Sequence, residues 1–382
     1  MVIQREAGRS KLWTALTVIV LLYVFICGIK LMGGGCKAMK KQAFVNELLT
    51  TTANPFVGLF VGILVTSIIQ SSSATTSIVV ALVAEGTLAV PAAIPIVMGA
   101  NIGTTVTNTL VSMGYVMRRE EFRRAISGAI VHDVFNVLVV IVLLPLELAF
   151  GVLQKGAEWL TALLPQSGGG LDVKGFNPLE PILAPTLNLI YGLLGGKPTR
   201  PDWTAGVCVL IGLVCIFFAL IMLVRVLRRM MLGKAEAFIT RVLGRSGWMG
   251  ILIGLVVTAM VQSSSITTSV MVPMAAAGII TVAQIFPITV GANIGTTITA
   301  LIASLAGGEH GIDGVTIACI HCLFNIVGML IFYPVPLLRR IPPALAMKVG
   351  DLAAESRKMA LVYIFLLFFG VPGAMIFLYR LF

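Results

Sequence analysis

Long apolar stretches separated by short polar segments follow one another along almost the whole chain. A helix that spans a membrane needs about 20 predominantly apolar residues. Seven stretches have roughly that length, at 12–34, 91–113, 125–150, 204–224, 282–306, 314–338 and 359–381. The pattern therefore predicts an all-α polytopic membrane protein.

Two further apolar stretches, 55–89 and 248–280, are interrupted near their middle by the same polar phrase. The first contains Gln-Ser-Ser-Ser at 70–73 and the second repeats it at 262–265, which is 192 residues later. Four consecutive polar residues cover every face of a helix, so they cannot all contact one neighbouring helix. We therefore predict that each stretch is a re-entrant hairpin of two half-helices, broken at the phrase.

The phrases belong to a longer internal repeat. Residues 58–107 and 250–299 share 25 identities in 50 ungapped positions, including the sequence Gly-Ala-Asn-Ile-Gly-Thr-Thr at 99–105 and 291–297. Each half is predicted to contain three crossings and one hairpin, and this odd number inverts the second half relative to the first. The two phrases should then enter the membrane from opposite faces and meet near its midplane, a geometry that secondary transporters use.

The predicted organisation has four parts. The linker between the repeats has no apolar run long enough to span a membrane, so we expect it to make no net crossing. The parts are a first transmembrane repeat (1–150, hairpin 55–89), an extracellular or periplasmic linker (151–203), a second, inverted repeat (204–338, hairpin 248–280) and a cytoplasmic segment with one extra C-terminal helix (339–382).

Composition and charge agree with a membrane protein. The chain is 58% hydrophobic and 11% charged, with a mean hydropathy of +1.02, far from the values of soluble domains. Its net charge of +11 comes from short Lys and Arg clusters beside the apolar stretches, which does not favour binding of nucleic acid. With a cytoplasmic N-terminus, 18 of the 27 Lys and Arg lie inside, Arg118 and Arg228 among them, as the positive-inside rule requires. We expect a multi-pass protein of the cell inner (plasma) membrane, embedded in the lipid bilayer.

The broken hairpins suggest ion binding, because polar groups at membrane depth cost free energy unless they find partners. Amides at the start of the second half-helix, together with serine hydroxyls, can cradle an anion. Freed carbonyls and Gln, Asn and Thr oxygens are ligands that suit Na⁺. Neither 42–117 nor 246–338 contains Lys or Arg, so we expect co-bound Na⁺ to supply the positive charge that an anion needs there.

The paired phrases, each followed by Gly-Ala-Asn-Ile-Gly-Thr-Thr, resemble the type II sodium-phosphate cotransporter family in a compact, bacterial form, over roughly 55–140 and 248–338. The resemblance implies sodium-driven uptake of inorganic phosphate by alternating access, with Na⁺ as coupling ion. It places phosphate at Gln70, Ser71, Ser72, Ser73, Gln262, Ser263, Ser264 and Ser265. It places sodium ligands among Gln70, Ser71, Thr75, Thr76, Asn101, Thr104, Gln262, Ser263, Thr267, Thr268, Asn293 and Thr296. We expect a supporting role for Gly103, Gly295, Asn136 and Asn325.

Other interpretations of the motifs stay open. The cradle would also suit another small oxyanion or an organic acid, and a passive channel or a non-transporting accessory protein is a third possibility. His132-Asp133 could form part of a hydrolase site, but the corresponding pair in the second half, His321-Cys322, lacks the acid, so we expect no enzyme and no cofactor. Cys319 beside that second pair gives too few ligands for a transition metal, so sodium is the only metal expected.

Overall fold

The computed structural model of the chain describes residues 2–40, 42, 51–52, 54–163, 179–200, 202–242 and 246–381. In this part of the chain, seven helices are long and apolar enough to cross a membrane. They coincide with the seven apolar stretches of the sequence, and none of the described residues forms a β-strand. The predicted all-α polytopic membrane protein is thus confirmed.

The first half contains the predicted hairpin as two short helices, α2 and α3. Two further helices, α7 and α8, belong to the segment predicted as the linker. The helices up to this point are α1 (Val2–Met39), α2 (Pro55–Ile69), α3 (Ser72–Ala84), α4 (Val90–Gly103), α5 (Val106–Ser112), α6 (Arg119–Phe150), α7 (Val152–Ala162) and α8 (Glu180–Leu193).

The second half repeats this order, and its hairpin is formed by α10 with α11 and α12. The C-terminal segment continues through a π-helical turn at Leu366–Gly370. The helices are α9 (Trp203–Val242), α10 (Gly247–Val261), α11 (Ser264–Ser269), α12 (Met271–Ala276), α13 (Val282–Ser304), α14 (Gly311–Phe332), α15 (Pro336–Glu355), α16 (Arg357–Phe365) and α17 (Val371–Leu381).

Each hairpin packs tightly on a helix of its own half through glycine. Helix α2 crosses α4 at Gly99, where an added Cβ would overlap the carbonyl of Leu59. Helix α10 crosses α13 in the same way at Gly291, against the carbonyl of Ile251. Backbones that approach this closely are typical of small-residue contacts between membrane helices. The motif glycines therefore fix the distance between each hairpin and the helix on which it packs, α4 or α13.

The hairpins also pack on the opposite half. Helix α3 contacts α13 and α14, while α11 and α12 contact α5, and α12 packs on α6. The first helices of the two halves, α1 and α9, lie along each other. The two halves are thus interlocked, and each hairpin is positioned by residues of both.

The two halves differ at two places, because a helix that is continuous in one half is interrupted in the other. Helix α3 is continuous, whereas α11 and α12 are separated at Val270, because Pro273 has no amide to donate to the carbonyl of Ser269. Conversely, α4 and α5 are separated at 104–105, whereas α13 continues through the equivalent residues. The interrupted helices α5, α11 and α12 contact one another, so the irregular backbone lies on one side of the molecule.

Candidate functional site

A glutamine in the left-handed conformation forms the turn at each polar phrase. Its φ is 61° at Gln70 and 58° at Gln262, and no other non-glycine residue has a positive φ in the described part of the chain. This conformation costs roughly 1–2 kcal/mol for such a residue. The turn amides donate to Thr66 (2.7 Å) and Thr258 (2.6 Å), which closes the preceding helix. A strained conformation kept in both halves is the kind of feature that concentrates at functional sites.

The side chains of these glutamines are held in the same way in both halves. Each Nε2 donates to the carbonyl three positions earlier, at 2.8 Å for Gln70 and 2.5 Å for Gln262. Each Oε1 accepts from a threonine 37 positions later, Thr107 or Thr299, at 2.9 Å. The amide groups therefore connect each turn to a later helix of its own half, α5 in the first half and α13 in the second.

The two polar phrases meet at one cavity of about 40 Å³, which we call the chamber. A buried water needs about 10–15 Å³ on this measure, so the chamber suits a small ion and excludes a larger organic solute. Leu220 and Val224 of α9 complete its wall, and none of the lining residues that the structure describes is charged. All eight predicted phosphate ligands line it, namely Gln70, Ser71, Ser72, Ser73, Gln262, Ser263, Ser264 and Ser265.

Hydrogen-bond donors surround the chamber where the second half-helices begin. Ser71 caps α3 by accepting from the amide of Ala74 at 3.2 Å, and Ser263 caps α11 by accepting from Ile266 at 3.4 Å. The first amides of a helix have no acceptor within it. In α3 two of these amides belong to Ser72 and Ser73, which line the chamber and also carry hydroxyl groups. The wall is therefore rich in neutral donors.

The predicted threonine ligands lie behind this wall and not in it. Each of them donates its hydroxyl to the carbonyl four positions earlier, at 2.8–3.3 Å. These residues are Thr75, Thr76, Thr104, Thr267, Thr268 and Thr296. Thr75 also accepts a hydrogen bond from the hydroxyl of Thr66 in the preceding half-helix (2.9 Å), and Thr267 accepts one from Thr258 (2.8 Å). These two bonds join the two half-helices of each hairpin.

A buried network of amides connects the two halves near the hairpins. Nε2 of His132 lies 2.5 Å from Oδ1 of Asn293, and Nδ2 of Asn293 donates to Asn136 at 2.6 Å. Asn136 in turn donates to the carbonyl of Asn101 at 2.7 Å. Asn293 and Asn136, predicted as a sodium ligand and a supporting residue, thus form one network across the boundary between the repeats.

The equivalent network of the second half is not formed. Asn101 donates to its own helix at Val97 (2.9 Å), and Asn325 donates to the carbonyl of His321 (2.9 Å). Both ring nitrogens of His321 and Oδ1 of Asn325 are buried without a hydrogen-bond partner in the structure. The remaining contact of Asn325, to Oδ1 of Asn101, is long at 3.4 Å. The predicted supporting residues therefore have unequal surroundings in the two halves.

The predicted supporting glycines are placed alike. A Cβ at Gly103 would lie 2.6 Å from the carbonyl of Ile63, and a Cβ at Gly295 would lie 2.6 Å from that of Leu255. Both glycines stand where α4 or α13 passes the C-terminal part of the preceding half-helix. They keep the space in which the hairpin packs.

Access to the chamber is also unequal. A cavity of about 1160 Å³, which we call the vestibule, adjoins the chamber and shares Ser265 with it. Thr107 lines the vestibule as well. The equivalent pair of the other side, Ser73 and Thr299, is buried and joined by a hydroxyl bond of 3.4 Å. Among the described residues, the chamber therefore adjoins an open cavity on the side of Thr107 and Ser265, whereas Ser73 and Thr299 are in contact.

The region around the far end of α3 contains contacts of lysines from α1 and of Lys40, which directly follows α1. Lys30 forms an ion pair with Glu85 at 3.5 Å, and Lys37 forms one with Glu309 in the loop before α14. Lys40 donates to the carbonyl of Gly86 at 2.6 Å. Lys30 and Lys40 thus hold the end of the first hairpin, and Lys37 connects α1 to the second half.

Asp133 is a further candidate that the sequence analysis did not assign to the ion site. It is 1% exposed, and its Oδ2 accepts from the hydroxyl of Tyr363 at 3.0 Å. Its Oδ1 has no hydrogen-bond partner. The hydroxyls of Thr105 and Thr109 donate to backbone carbonyls and not to this carboxylate. A carboxylate inside an apolar helix is costly, and this signal could have identified it from the sequence.

Comparison with known proteins gives one family. The profile of the Na⁺/Pi-cotransporter family matches two segments, 24–155 and 215–346, one in each half of the chain. Human "Sodium-dependent phosphate transport protein 2B" is 32% identical over 92% of this chain, rat protein 2C is 35% identical over 92%, and sheep protein 2A is 33% identical over 97%. The chain spans 63%, 70% and 68% of these relatives' lengths, respectively. No solved structure matches it.

Matches to the family profile in both halves, and relatives of this similarity over nearly the whole chain, leave one assignment. The chain belongs to the Na⁺/Pi-cotransporter family.

Proposed function

We propose that this protein is a sodium-coupled symporter that takes up inorganic phosphate by alternating access. The observation that carries the proposal is the chamber, where eight polar residues from two halves surround one small cavity without a charged side chain. The names of the relatives, which are sodium-dependent phosphate transport proteins, support it. The predicted inside set of basic residues supports an inner-membrane location with a cytoplasmic N-terminus.

Phosphate would bind in the chamber through hydroxyl groups and helix-start amides. These donors are neutral, so they solvate an anion but do not compensate its charge. Sodium ions bound beside it would supply that charge, and each ion would then strengthen binding of the other. The glutamine, serine, threonine and asparagine oxygens behind and within the wall are hard ligands of the type that Na⁺ prefers.

Asp133 extends this scheme. Its buried carboxylate has one oxygen without a hydrogen-bond partner, and a cation would satisfy that oxygen. A sodium ion held there would also reduce the cost of an ionised carboxylate at membrane depth. We therefore add Asp133 to the candidate sodium ligands.

Alternating access fits the unequal sides of the molecule. In the described conformation, the vestibule lies on the side of Thr107 and Ser265, and the opposite pair is closed. Exchange of these two arrangements between related halves would expose the chamber to the other face of the membrane. The same chamber would thus serve both steps of transport.

The test is uptake of radiolabelled phosphate into proteoliposomes during a sodium titration, with Ser72→Ala and Ser264→Ala measured in parallel. We expect steep dependence on sodium and a loss of at least about tenfold in each variant, since each removes a donor that only the bound anion satisfies. Full uptake with choline in place of sodium and no dependence on protons would reject the coupling, and normal uptake in both variants would reject the site.

Competition identifies the anion and counterflow identifies the mechanism. Arsenate has the same charge and tetrahedral shape as phosphate, so it should compete, whereas a larger organic acid should not enter the chamber. Unlabelled phosphate on the opposite side should accelerate uptake by a carrier. A passive channel would show no such acceleration.

A further inference from the structure

One face of α9 connects the chamber with the vestibule. Leu220 and Val224 line the chamber, and Arg228 lines the vestibule. Residues four positions apart share a helix face and are separated by about 6 Å along the axis. An extended arginine side chain covers a distance of that order. Arg228 is therefore the first charged residue on this face beyond the chamber.

The vestibule has charges of one sign. Among the residues described in its wall, Arg118 and Arg228 are basic and none is acidic. Arg118 is paired with Glu121 at 3.0 Å, so its charge is largely compensated. Arg228 is exposed, and no acidic side chain in the described part of the chain forms an ion pair with it. Among the described wall residues, Arg228 is thus the charged side chain that has no ion-pair partner.

A cavity with charges of one sign and walls of low dielectric raises the local concentration of the opposite ion and its rate of entry. The chamber next to it has no cation of its own. We propose that Arg228 is a specificity-determining residue that attracts small, doubly charged oxyanions into the vestibule and holds them at the entrance of the chamber. This inference rests on the proposed phosphate transport and deepens it.

The consequence is limited to one face of the membrane. Arg228 should lower the phosphate concentration needed for half-saturation on the vestibule face and leave the opposite face unaffected. The sequence assigns Arg118 and Arg228 to the cytoplasmic side, so the residue would favour rebinding of phosphate from the cell interior. Net uptake would then slow as internal phosphate rises.

The experiment measures the half-saturating phosphate concentration for counterflow from each face, in right-side-out and inside-out membrane vesicles at fixed sodium. The variants are Arg228→Glu, Arg228→Gln and Arg228→Lys. The matched control is Arg229→Glu, because Arg229 is the neighbouring exposed arginine on the same helix and does not line the vestibule. Each measurement is repeated at low ionic strength and with added choline chloride.

We expect Arg228→Glu to raise the value on one face by about three- to tenfold at low ionic strength. Arg228→Gln should raise it less, and Arg228→Lys should stay within about twofold of the parent protein. At about 1 M salt the Debye length is only about 3 Å, so the difference should largely disappear. The maximal rate and the opposite face should remain unchanged.

Equal values for Arg228→Glu and Arg229→Glu on both faces would overturn the proposal. A change that persists at high salt would also overturn it, because it would indicate altered packing and not a field. If the parent protein shows no sodium-dependent phosphate counterflow, the proposed function itself fails, and this inference fails with it.

Discussion

The two sides of the chamber are built from equivalent residues but are open to different degrees. Thr107 and Ser265 line the vestibule, whereas Thr299 and Ser73 occupy the corresponding positions on the other side, buried and joined to each other. The polar phrases themselves have the same turn and the same glutamine contacts. The difference must therefore arise in the helices around them, where α4 is separated from α5 and α11 from α12.

The buried amide network shows the same inequality at a second place. His132 is bonded to Asn293, while His321, its counterpart, has no partner for either ring nitrogen. Asn101, which would be the partner of His321 by analogy, lies just before the separation of α4 and α5. Two independent groups of residues thus distinguish the halves in the same conformation. If the repeats are inverted, as the sequence predicts, one movement could exchange both differences.

The largest effect on stability should come from substitutions at the close glycine contacts that both halves share. Gly99→Ala and Gly291→Ala place a Cβ on a backbone carbonyl that cannot rotate away. We expect each to lower the free energy of unfolding by about 3 kcal/mol or more. Thermal unfolding of the purified protein in detergent measures this, with Gly206→Ala as control because no atom lies near its Cβ. Tolerance of alanine in one half alone would show that the shared packing is not equivalent.

The next-largest effect should come from the glutamines of the two turns, which have the same conformation but bind threonines of unequal exposure. Gln70→Gly and Gln262→Gly keep the left-handed backbone but remove the amide that binds Thr107 or Thr299. We expect the initial uptake rate per molecule to fall at least about tenfold in both. In thermal unfolding, Gln262→Gly should be the less stable of the two, because Thr299 is buried in this conformation and water cannot replace its acceptor. Uptake at the parent rate in either variant would contradict a role of these side chains in transport.

Much of the fold could be predicted because bilayer spans are defined by length and hydropathy alone. The seven long apolar stretches became seven long helices, and the phrases at 70–73 and 262–265 became the turns between half-helices. From the repeat and the odd number of crossings, the sequence predicted that the two phrases meet, and both phrases line one cavity. The threonines were harder to place, since Thr75 and Thr267 lie on the same short helices as the chamber residues but one turn behind the wall.

The unequal sides could not be predicted from motifs that are identical in both halves. The information lies in positions where the repeat differs, such as Pro273 opposite Ala81 and Asn108 opposite Ala300. Asn108 donates to Thr268 at 2.7 Å and has no equivalent in the other half. Asp133 was not assigned to the ion site for a related reason, because its sequence neighbour is His132, whereas its contact Tyr363 is distant in the chain.

Cysteine accessibility tests the inequality directly. Ser265→Cys adjoins the vestibule and Ser73→Cys is buried, so in a background without the six native cysteines the first should react with a water-soluble thiol reagent at least about tenfold faster. Mass spectrometry of the modified protein follows both rates. Equal rates would show that the two sides exchange faster than the reaction or are equally open. Saturating sodium and phosphate should bring the two rates closer together if the carrier alternates.

The smallest effect should come from the two histidines, which provide their own matched control. His132→Ala and His321→Ala remove the same ring from buried positions, so the cost of the lost volume is similar and cancels in the comparison. Only His132→Ala also leaves a buried acceptor, on Asn293, without its partner. We expect His132→Ala to be less stable than His321→Ala by about 1 kcal/mol in thermal unfolding.

If the halves exchange their arrangements during transport, both variants should nevertheless lose transport to a similar extent, because each ring is then bonded in one of the two conformations. Equal stabilities, or loss of transport in only one variant, would mean that the inequality between the halves is permanent.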